Sequence, residues 1–243
     1  MVERVRGSWL LYALVALGAV FLVVVVFGRV LLFQPFSMPS GSMLPTLLVG
    51  DYFLVAKFSY GYSRYSLPLS PQLFSGRIFA VEPHRGDLVV FRLPKDESTD
   101  YVKRLVGLPG ESLQMVDGRL YINGAPVERT RLDDRVETDA KGQVTRAKRW
   151  RETLPNGPSY ETLDLVDNAF YDNTPVYKVP PGHYFMLGDN RDNSVDSRVL
   201  SQMGPIPVDH LIGKVMVIVF SAAPEEAAGQ GRIRSERIGM RVE

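Results

Sequence analysis

An uninterrupted apolar run near the amino terminus is the feature that most restricts how this chain can fold. The segment Trp9–Phe27 is almost wholly apolar, and no charged residue interrupts it. About 20 such residues are needed for a helix to cross the hydrocarbon core of a membrane. A cleaved signal peptide is the alternative, since Arg4 and Arg6 precede the run, but the run is too long and no small-x-small site follows it. The sequence therefore predicts a retained transmembrane helix over residues 9–28.

The position of the basic residues predicts the orientation of this helix. Arg4 and Arg6 lie in a short tail, residues 1–8, and basic flanks stay preferentially on the cytoplasmic side. The chain after Arg29 then lies across the membrane, which in a bacterium is the periplasm or the outer surface. We expect a single-pass protein of the cytoplasmic membrane with an extracytoplasmic domain.

The remainder of the chain has the pattern of a mainly β protein. Val, Tyr and Phe are frequent and turn-forming Gly and Pro are numerous, as in antiparallel sheets. Asp117-Gly118 and Asn123-Gly124 are strong hairpin signals within residues 110–127. Residues 128–160 are highly charged and are interpreted as irregular loops, and one short helix is expected near Pro207–Leu211. The predicted strands are Asp51–Phe58, Gly86–Leu93, Asp100–Leu108, parts of Tyr177–Asn190, and Gly213–Phe220.

Composition excludes several kinds of chemistry. The chain has no cysteine, which removes thiol catalysis and disulfides and suits an oxidising compartment. Its 28 basic and 27 acidic residues nearly balance, so no nucleic-acid partner is indicated. The only histidines, His84, His183 and His210, lack metal-ligand spacing and an evident carboxylate partner. We expect no metal and no cofactor.

Two serines in "PSGSMLPTL", Pro39–Leu47, raise the question of a nucleophile and its base. With histidine disfavoured, lysine is the remaining class of base, and Lys103 is the candidate because it lies on a predicted strand among apolar residues. At its reference pKa of about 10.4, a neutral lysine at pH 7 would cost roughly 4–5 kcal/mol, which burial can largely offset. Spacing alone favours the plainer interpretation, a lysine that extends to solvent beside Arg104.

A third stretch, "GDNRDNSVDSR" at Gly188–Arg198, concentrates carboxylates, amides, hydroxyls and arginines in eleven residues. Clusters of Asp, Asn and Gly usually form turns and nothing more. This cluster is unusually dense, and its hydroxyls and paired charges could orient a neutral amine.

Taken in order behind an apolar run, these segments resemble the type I signal peptidases, the leader peptidases of bacteria. The resemblance rests on "SGSMLPTL", on "RGDLVVF" (Arg85–Phe91), on "YVKRLVGLPGE" (Tyr101–Glu111) and on "GDNRDNSVDSR". Glu111 stands where many members have Asp. The similarity extends from residue 34 to about 220, and a second transmembrane segment, present in some members, is missing.

The resemblance implies a role for each matching residue. Ser42 would be the acylating nucleophile and Lys103 its general base. The Ser40 hydroxyl, with the backbone N–H of Ser42, would form the oxyanion hole. Ser194 would hydrogen-bond the Lys103 amine. Further residues implied by the resemblance are Asp196 and Arg198 as supporting groups, and Phe36, Met38, Leu47, Tyr101 and Val102 as the lining of the substrate cleft.

The resemblance also implies a fold and a domain division. We expect an antiparallel β-sheet or β-barrel-like catalytic core of signal-peptidase type, with a smaller β insertion that varies between members. The predicted divisions are the tail 1–8, the helix 9–28, a core of 29–112 and 179–222, an insertion of 113–178, and a C-terminal tail of 223–243.

The implied function is removal of signal peptides from secretory preproteins, after small-x-small sites, through an acyl-enzyme and next to the lipid bilayer and the export translocon. Two rivals remain: a self-cleaving Ser/Lys peptidase of the repressor type, and a non-enzymatic β-domain tethered to the membrane. Separately, the apolar stretch Pro68–Phe79 suggests that Phe74 and Phe79 dip into the membrane interface. A loop that covers the core explains that stretch equally well.

Overall fold

A computed structural model of the protein describes residues 2–138, 144–223 and 232–242. Outside them lie residue 1 of the predicted cytoplasmic tail, residues 139–143 of the predicted insertion, and residues 224–231 and 243 of the predicted C-terminal tail. The side chains of Arg4 and Arg6, on which the orientation prediction depends, also lie outside the described set.

The amino-terminal segment forms one helix, α1 (Val2–Leu31). Its described side chains between Trp9 and Phe27 are largely apolar and exposed; Trp9 is 75% and Phe21 is 70% exposed. In the described part of the chain, no helix is both long enough and apolar enough to cross a membrane. Residues 9–28 are therefore helical as expected, but their prediction as a transmembrane helix is not confirmed.

Fifteen strands follow in the described residues. In chain order they are β1 (Phe33–Ser37), β2 (Asp51–Ala56), β3 (Leu88–Leu93), β4 (Asp96–Gly107), β5 (Ser112–Val116), β6 (Arg119–Ile122), β7 (Ala125–Pro126), β8 (Glu128–Arg131), β9 (Arg135–Thr138), β10 (Val144–Thr153), β11 (Ser159–Asp164), β12 (Tyr177–Lys178), β13 (His183–Leu187), β14 (Ile206–Pro207) and β15 (Leu211–Ser221).

The main sheet contains seven of these strands in the order β1-β2-β15-β3-β4-β13-β14, all paired antiparallel. The prediction of a mainly antiparallel β protein is confirmed. β3 begins with four buried residues, Leu88–Phe91, because it lies in the middle of the sheet and is covered on both faces. In the described pairings the sheet has two edges, β1 and β14, so the barrel-like closure that was expected is not found.

Residues 112–126 and Tyr177–Lys178 form a small sheet in the order β12-β5-β6-β7. Its two tight turns are those predicted from the sequence. Asp117 and Gly118 connect β5 to β6 with φ of 48° and 68°, and Asn123 and Gly124 connect β6 to β7 with φ of 53° and 78°. Positive φ at both central positions matches the right-handed twist of the flanking strands, so these dipeptides determine the register. The expected short helix is also present, as a 3₁₀ turn at Val208–His210.

The interpretation of residues 128–160 as irregular loops was wrong. The segment forms strands β8, β9 and β10 and the start of β11, and β8, β10 and β11 pair side by side. The high charge concealed the strands, because arginines and glutamates occupy facing positions on neighbouring strands. Arg151 lies opposite Glu161 in the register, and their charged groups approach to 3.4 Å.

The segment between β1 and β2, which carries the paired serines, is fixed to the core by its apolar residues. Met38, Met43 and Leu47 are 2%, 0% and 0% exposed, and all three pack in the cluster formed with β2, β3 and β15. Leu47 is therefore a core residue and not part of a surface cleft, which corrects its prediction as a substrate-binding residue. The same packing leaves Ser42, next to Met43, with a defined position.

Candidate active site

Ser42 lies in a single 3₁₀ turn, Gly41–Met43, and is 8% exposed. The backbone of this turn is held from the opposite side of the site by Asn190. The Asn190 backbone N–H donates to the Ser42 carbonyl at 3.1 Å, and its side-chain Nδ2 donates to the Gly41 carbonyl at 3.0 Å. These two hydrogen bonds join the segment Pro39–Leu47 to the segment Gly188–Arg198.

Lys103 reaches Ser42 from β4. Its Nζ lies 2.8 Å from Ser42 Oγ and 3.1 Å from the Val102 carbonyl oxygen, and the residue is 2% exposed. The pairing of Lys103 with Val89 of β3 fixes its side of the sheet. The alternative in which this lysine extends to solvent is wrong, because the side chain points inward to the serine.

The two carboxylates whose charges act on Lys103 are each bound by an arginine. Asp189 accepts hydrogen bonds from Arg104 Nε and Nη2 at 2.9 and 2.8 Å, and Asp196 accepts from Arg198 Nε and Nη2 at 2.9 Å each. All four side chains are at most 1% exposed. Among the described residues Lys103 itself forms no ion pair. It is therefore a buried ammonium without a direct counter-ion.

This environment makes the neutral form of the Lys103 amine easier to reach. Burial lowers the pKa of Lys103 from 10.5 to about 8, and the negative charges of Asp196 and Asp189 offset only part of that effect. Burial by itself would raise the pKa of Asp196, but the Arg198 guanidinium and the backbone N–H groups of Gly188 and Arg198 hold it below its usual range. Asp196 thus remains ionised, while Lys103 can lose its proton near neutral pH.

The other two predicted serines occupy different positions around this pair. Ser40 is exposed, and its Oγ lies 3.3 Å from Ser42 Oγ. Ser194 borders the same cleft, but its Oγ has no hydrogen-bond partner among the described residues. The expected hydrogen bond from Ser194 to the Lys103 amine is therefore absent. The hydroxyl lies instead against the backbone of Gly188, where a Cβ would come within 2.2 Å of it.

The serine and the lysine open onto a cleft of 670 Å³. Four of the five residues predicted to line it do so: Phe36, Met38, Tyr101 and Val102. Sequence reasoning missed the opposite wall, which includes Tyr171, Val195, Val199 and Gln202. Val195 stands within the predicted Gly188–Arg198 segment, whereas nothing in the sequence around Tyr171 marks it as a neighbour of Ser42.

Sequence reasoning also missed the support given by the predicted insertion. Arg191 is buried and pairs with Glu152 of β10, with Nη1 of the arginine 3.0 Å from Oε1 of the glutamate. Tyr160 of β11 donates its hydroxyl to Glu152 at 3.0 Å, and its ring lies 4.1 Å from the Arg104 guanidinium carbon. The charged strands are therefore packed against the segment that holds Ser42.

The histidines lie outside this arrangement. None of the three histidines lines the cleft. His183 and His210 make hydrogen bonds to the carbonyls of Pro181 and Arg92. Within the described ranges, no group of three or more His, Asp or Glu side chains is placed to hold a metal ion.

A near-buried serine hydroxyl in contact with a buried amine, at the edge of an apolar cleft, is the set of groups that a serine hydrolase uses. Comparison with known proteins identifies the family. The profile of "Signal peptidase, peptidase S26" matches residues 8–220. The chain belongs to this family and is a serine protease. The alternative interpretation of the sequence, as a non-enzymatic β-domain, is therefore excluded.

Two bacterial relatives agree with this assignment. The chain is 46% identical over 201 residues to signal peptidase I of Rickettsia typhi and 45% identical to that of Rickettsia prowazekii, with 79% of this chain and 74% of each relative covered. A signal peptidase I from Enterococcus faecalis V583, known from a crystal structure, is 29% identical. That comparison covers 55% of this chain and 97% of the other, with a TM-score of 0.31.

Breaking the Arg104–Asp189 pair should destabilise the protein far more than breaking an exposed pair. Asp189→Asn leaves the Arg104 charge buried without a partner, so we expect the free energy of unfolding to fall by about 3–5 kcal/mol. The matched control is Asp100→Asn, whose partner Arg92 is partly exposed and whose loss should cost at most about 1 kcal/mol. Urea unfolding followed by fluorescence measures both; equal losses would contradict the account of this pair.

Proposed function

We propose that this chain is an endopeptidase that removes N-terminal signal peptides from exported preproteins, with Ser42 as nucleophile and Lys103 as general base. The observation that carries the proposal is the 2.8 Å contact between Ser42 Oγ and the buried Lys103 Nζ, which has no ion pair among the described residues. With a pKa of about 8, about one lysine in ten is neutral at pH 7, against a few in ten thousand at the reference pKa.

The reaction proceeds by acyl transfer in two steps. Neutral Lys103 takes the Ser42 proton as Oγ attacks the scissile carbonyl, and the protonated amine then gives this proton to the leaving amine of the mature protein. The signal peptide remains as an ester on Ser42. Lys103, neutral again, removes a proton from water as the water attacks the ester carbonyl. The protonated amine then returns this proton to Ser42 Oγ as the signal peptide is released, which restores the free serine and the neutral lysine.

Further groups around the catalytic pair stabilise the charges that develop during this cycle. The Ser40 hydroxyl and the Ser42 N–H stabilise the oxyanion, a role that agrees with the position of Ser40 Oγ beside Ser42 Oγ. Asp196 and Arg198 fix the electrostatic surroundings of the lysine.

The substrate is an extended peptide that pairs with free strand edges. β1 pairs with β2 alone, and β13 pairs with β4 only from Arg104 to Gly107, so the described backbone at Asp100–Lys103 has no strand partner on that side. A peptide added here presents alternate side chains to the cleft. The apolar groups of Phe36, Met38, Tyr101 and Val102 leave shallow space for small side chains, which supports cleavage after small-x-small sequences.

The exposed apolar surface of α1 supports a location at the cytoplasmic membrane. The large apolar side chains described between Trp9 and Phe27 are 46% to 75% exposed, and a soluble surface rarely carries such a patch. In this proposal the catalytic sheet is extracytoplasmic, next to the bilayer and the export translocon. Phe79, 82% exposed, adds a contact from the Pro68–Phe79 loop, whereas Phe74 is only partly exposed.

Removal of either member of the catalytic pair should abolish cleavage of a preprotein. We expect Ser42→Ala and Lys103→Met each to lower kcat by about 10⁴-fold or more, since such residues act as a unit. Lys57→Met is the matched control, because Lys57 is equally buried at 2% exposure but lies outside the cleft. Gel analysis of the preprotein and mature bands gives the rates. Cleavage that persists in either catalytic variant would overturn the proposal.

The pH at which activity begins to decline on acidification should equal the pKa of Lys103. As the pH falls below about 8, Nζ gains a proton and the base is lost, so kcat/KM should fall tenfold per pH unit. The measurement is kcat/KM between pH 6 and 10 for a peptide without titrating groups. A flat profile from pH 6 to 8 would show that another group is the base.

Membrane contact can be located with single cysteines, since the chain has none of its own. We expect a polarity-sensitive dye on Val20→Cys or Phe79→Cys to shift to an apolar emission when the enzyme is reconstituted in vesicles, because both side chains would lie in lipid. Val144→Cys in β10, 60% exposed in the wild-type residue, is the control that should stay aqueous. Aqueous emission from all three sites would contradict the proposed attachment.

A further inference from the structure

The described C-terminal segment, residues 232–242, packs back onto the catalytic sheet. Ile233 forms a β-bridge with Ala222, and Arg241 forms one with Val217 of β15. Val242 is 8% exposed and lies in the same core cluster as Met43. A segment predicted as a tail is therefore in contact with the element that carries Ser42.

This segment supplies the positive charge for a buried carboxylate. Asp51, the first residue of β2, is 0% exposed. Its Oδ2 accepts from Arg237 Nη2 at 2.6 Å and from the Leu48 N–H at 2.8 Å, and its Oδ1 accepts from Ser221 Oγ at 2.6 Å. A second arginine, Arg234, approaches Asp51 to 3.6 Å and donates to the Val49 carbonyl at 2.6 Å. Through Arg234 and Val49 the cluster also joins the C-terminal segment to the end of the nucleophile loop, residues 39–50.

Arg237 makes one more contact, and it is directed at the nucleophile loop itself. The same Nη2 donates to the Thr46 carbonyl oxygen at 2.9 Å. On the other side, Thr46 donates its hydroxyl to Asp189 at 2.5 Å. Four residues before Thr46 stands Ser42, and the Leu47 N–H donates to the Met43 carbonyl at 2.9 Å within the same turn. The loop is thus held at Thr46 between Asp189 and Arg237.

We propose that Arg237 is a positioning residue for catalysis. By joining the Thr46 carbonyl to the buried Asp51 carboxylate, it fixes the loop that sets the distance between Ser42 Oγ and Lys103 Nζ. The inference rests on the proposed function, since it takes Ser42 as the nucleophile. Arg237 does not line the cleft and touches no group that would contact substrate, so its effect is on the geometry of the pair and not on substrate binding.

The chemistry of the contact requires arginine. Arg237 binds Asp51 through two nitrogens, with Nε 3.1 and 3.2 Å from the two carboxylate oxygens and Nη2 2.6 Å from Oδ2, while Nη2 also donates to the Thr46 carbonyl. The rigid guanidinium plane holds both nitrogens in place at once. A lysine at this position keeps the charge next to Asp51, but its single flexible nitrogen cannot occupy both positions. Arg237→Lys should therefore retain most of the fold and lose most of the positioning.

The test compares Arg237→Lys and Arg237→Gln with Arg241→Gln in the full chain. Arg241 lies on the same segment, its side chain is exposed, and it forms no ion pair among the described residues. We expect kcat for preprotein cleavage to fall about ten- to a hundredfold in both Arg237 variants, with KM unchanged, because a small misplacement of reacting atoms is costly. Arg241→Gln should stay near wild type. Urea unfolding gives the folded fraction of each variant, and each measured rate is divided by that fraction.

Arg237→Lys decides between positioning and mere stability. A folded Arg237→Lys enzyme with reduced kcat supports the proposal; wild-type kcat in that variant, or a loss that only follows the folded fraction, would overturn it. The positioning role and the proposed function can fail independently. If Ser42→Ala is inactive and the Arg237 variants keep wild-type kcat, only the positioning role is refuted. If Ser42→Ala is active, the assignment of Ser42 as nucleophile is refuted.

Discussion

The arrangement of the site depends on one buried lysine that has no counter-ion in the described part of the chain. Lys103 extends from β4 to the serine turn, and the two nearby carboxylates are each bound to an arginine of their own. If Arg104 or Arg198 were absent, Asp189 or Asp196 would be free to attract the ammonium and keep it protonated. The arginines thus determine indirectly the protonation state of the group that must accept a proton from Ser42.

The cost of this arrangement is distributed over the fold. A buried amine opposes folding, and the loop that carries Ser42 has little regular structure of its own beyond one 3₁₀ turn. The loop is held by apolar side chains in the core, by Asn190 and Asp189 on one side, and by Arg237 on the other. Strands of the insertion hold the Asp189–Arg191 segment in turn through Glu152 and Tyr160. Regions distant in sequence therefore hold Ser42 Oγ and Lys103 Nζ in contact.

Much of the main sheet could be predicted from the sequence, because its central strands are short apolar runs between turn residues and the hairpins carry Asp-Gly and Asn-Gly. The motifs around Ser42, Lys103 and Asp189 were also predictable as a set. Three features were not. The strands of residues 128–160 were concealed by charges that pair only across strands. The side chain of Leu47 enters the core because the chain turns after Met43, which the local pattern does not reveal. The contact of Arg237 with Thr46 spans 191 residues, so no local signal exists for it.

The central claim, that burial lowers the Lys103 pKa enough to leave about one amine in ten neutral at pH 7, can be measured without reference to activity. Full-length protein carrying ¹³C at lysine Cε, reconstituted in micelles, gives one resonance per lysine, and Lys103→Met assigns the relevant one. A titration of this resonance should have its midpoint at about 8, well below the reference value of a free lysine. A midpoint at or above the reference value of about 10.4 would show that the buried amine stays protonated, and would contradict the account.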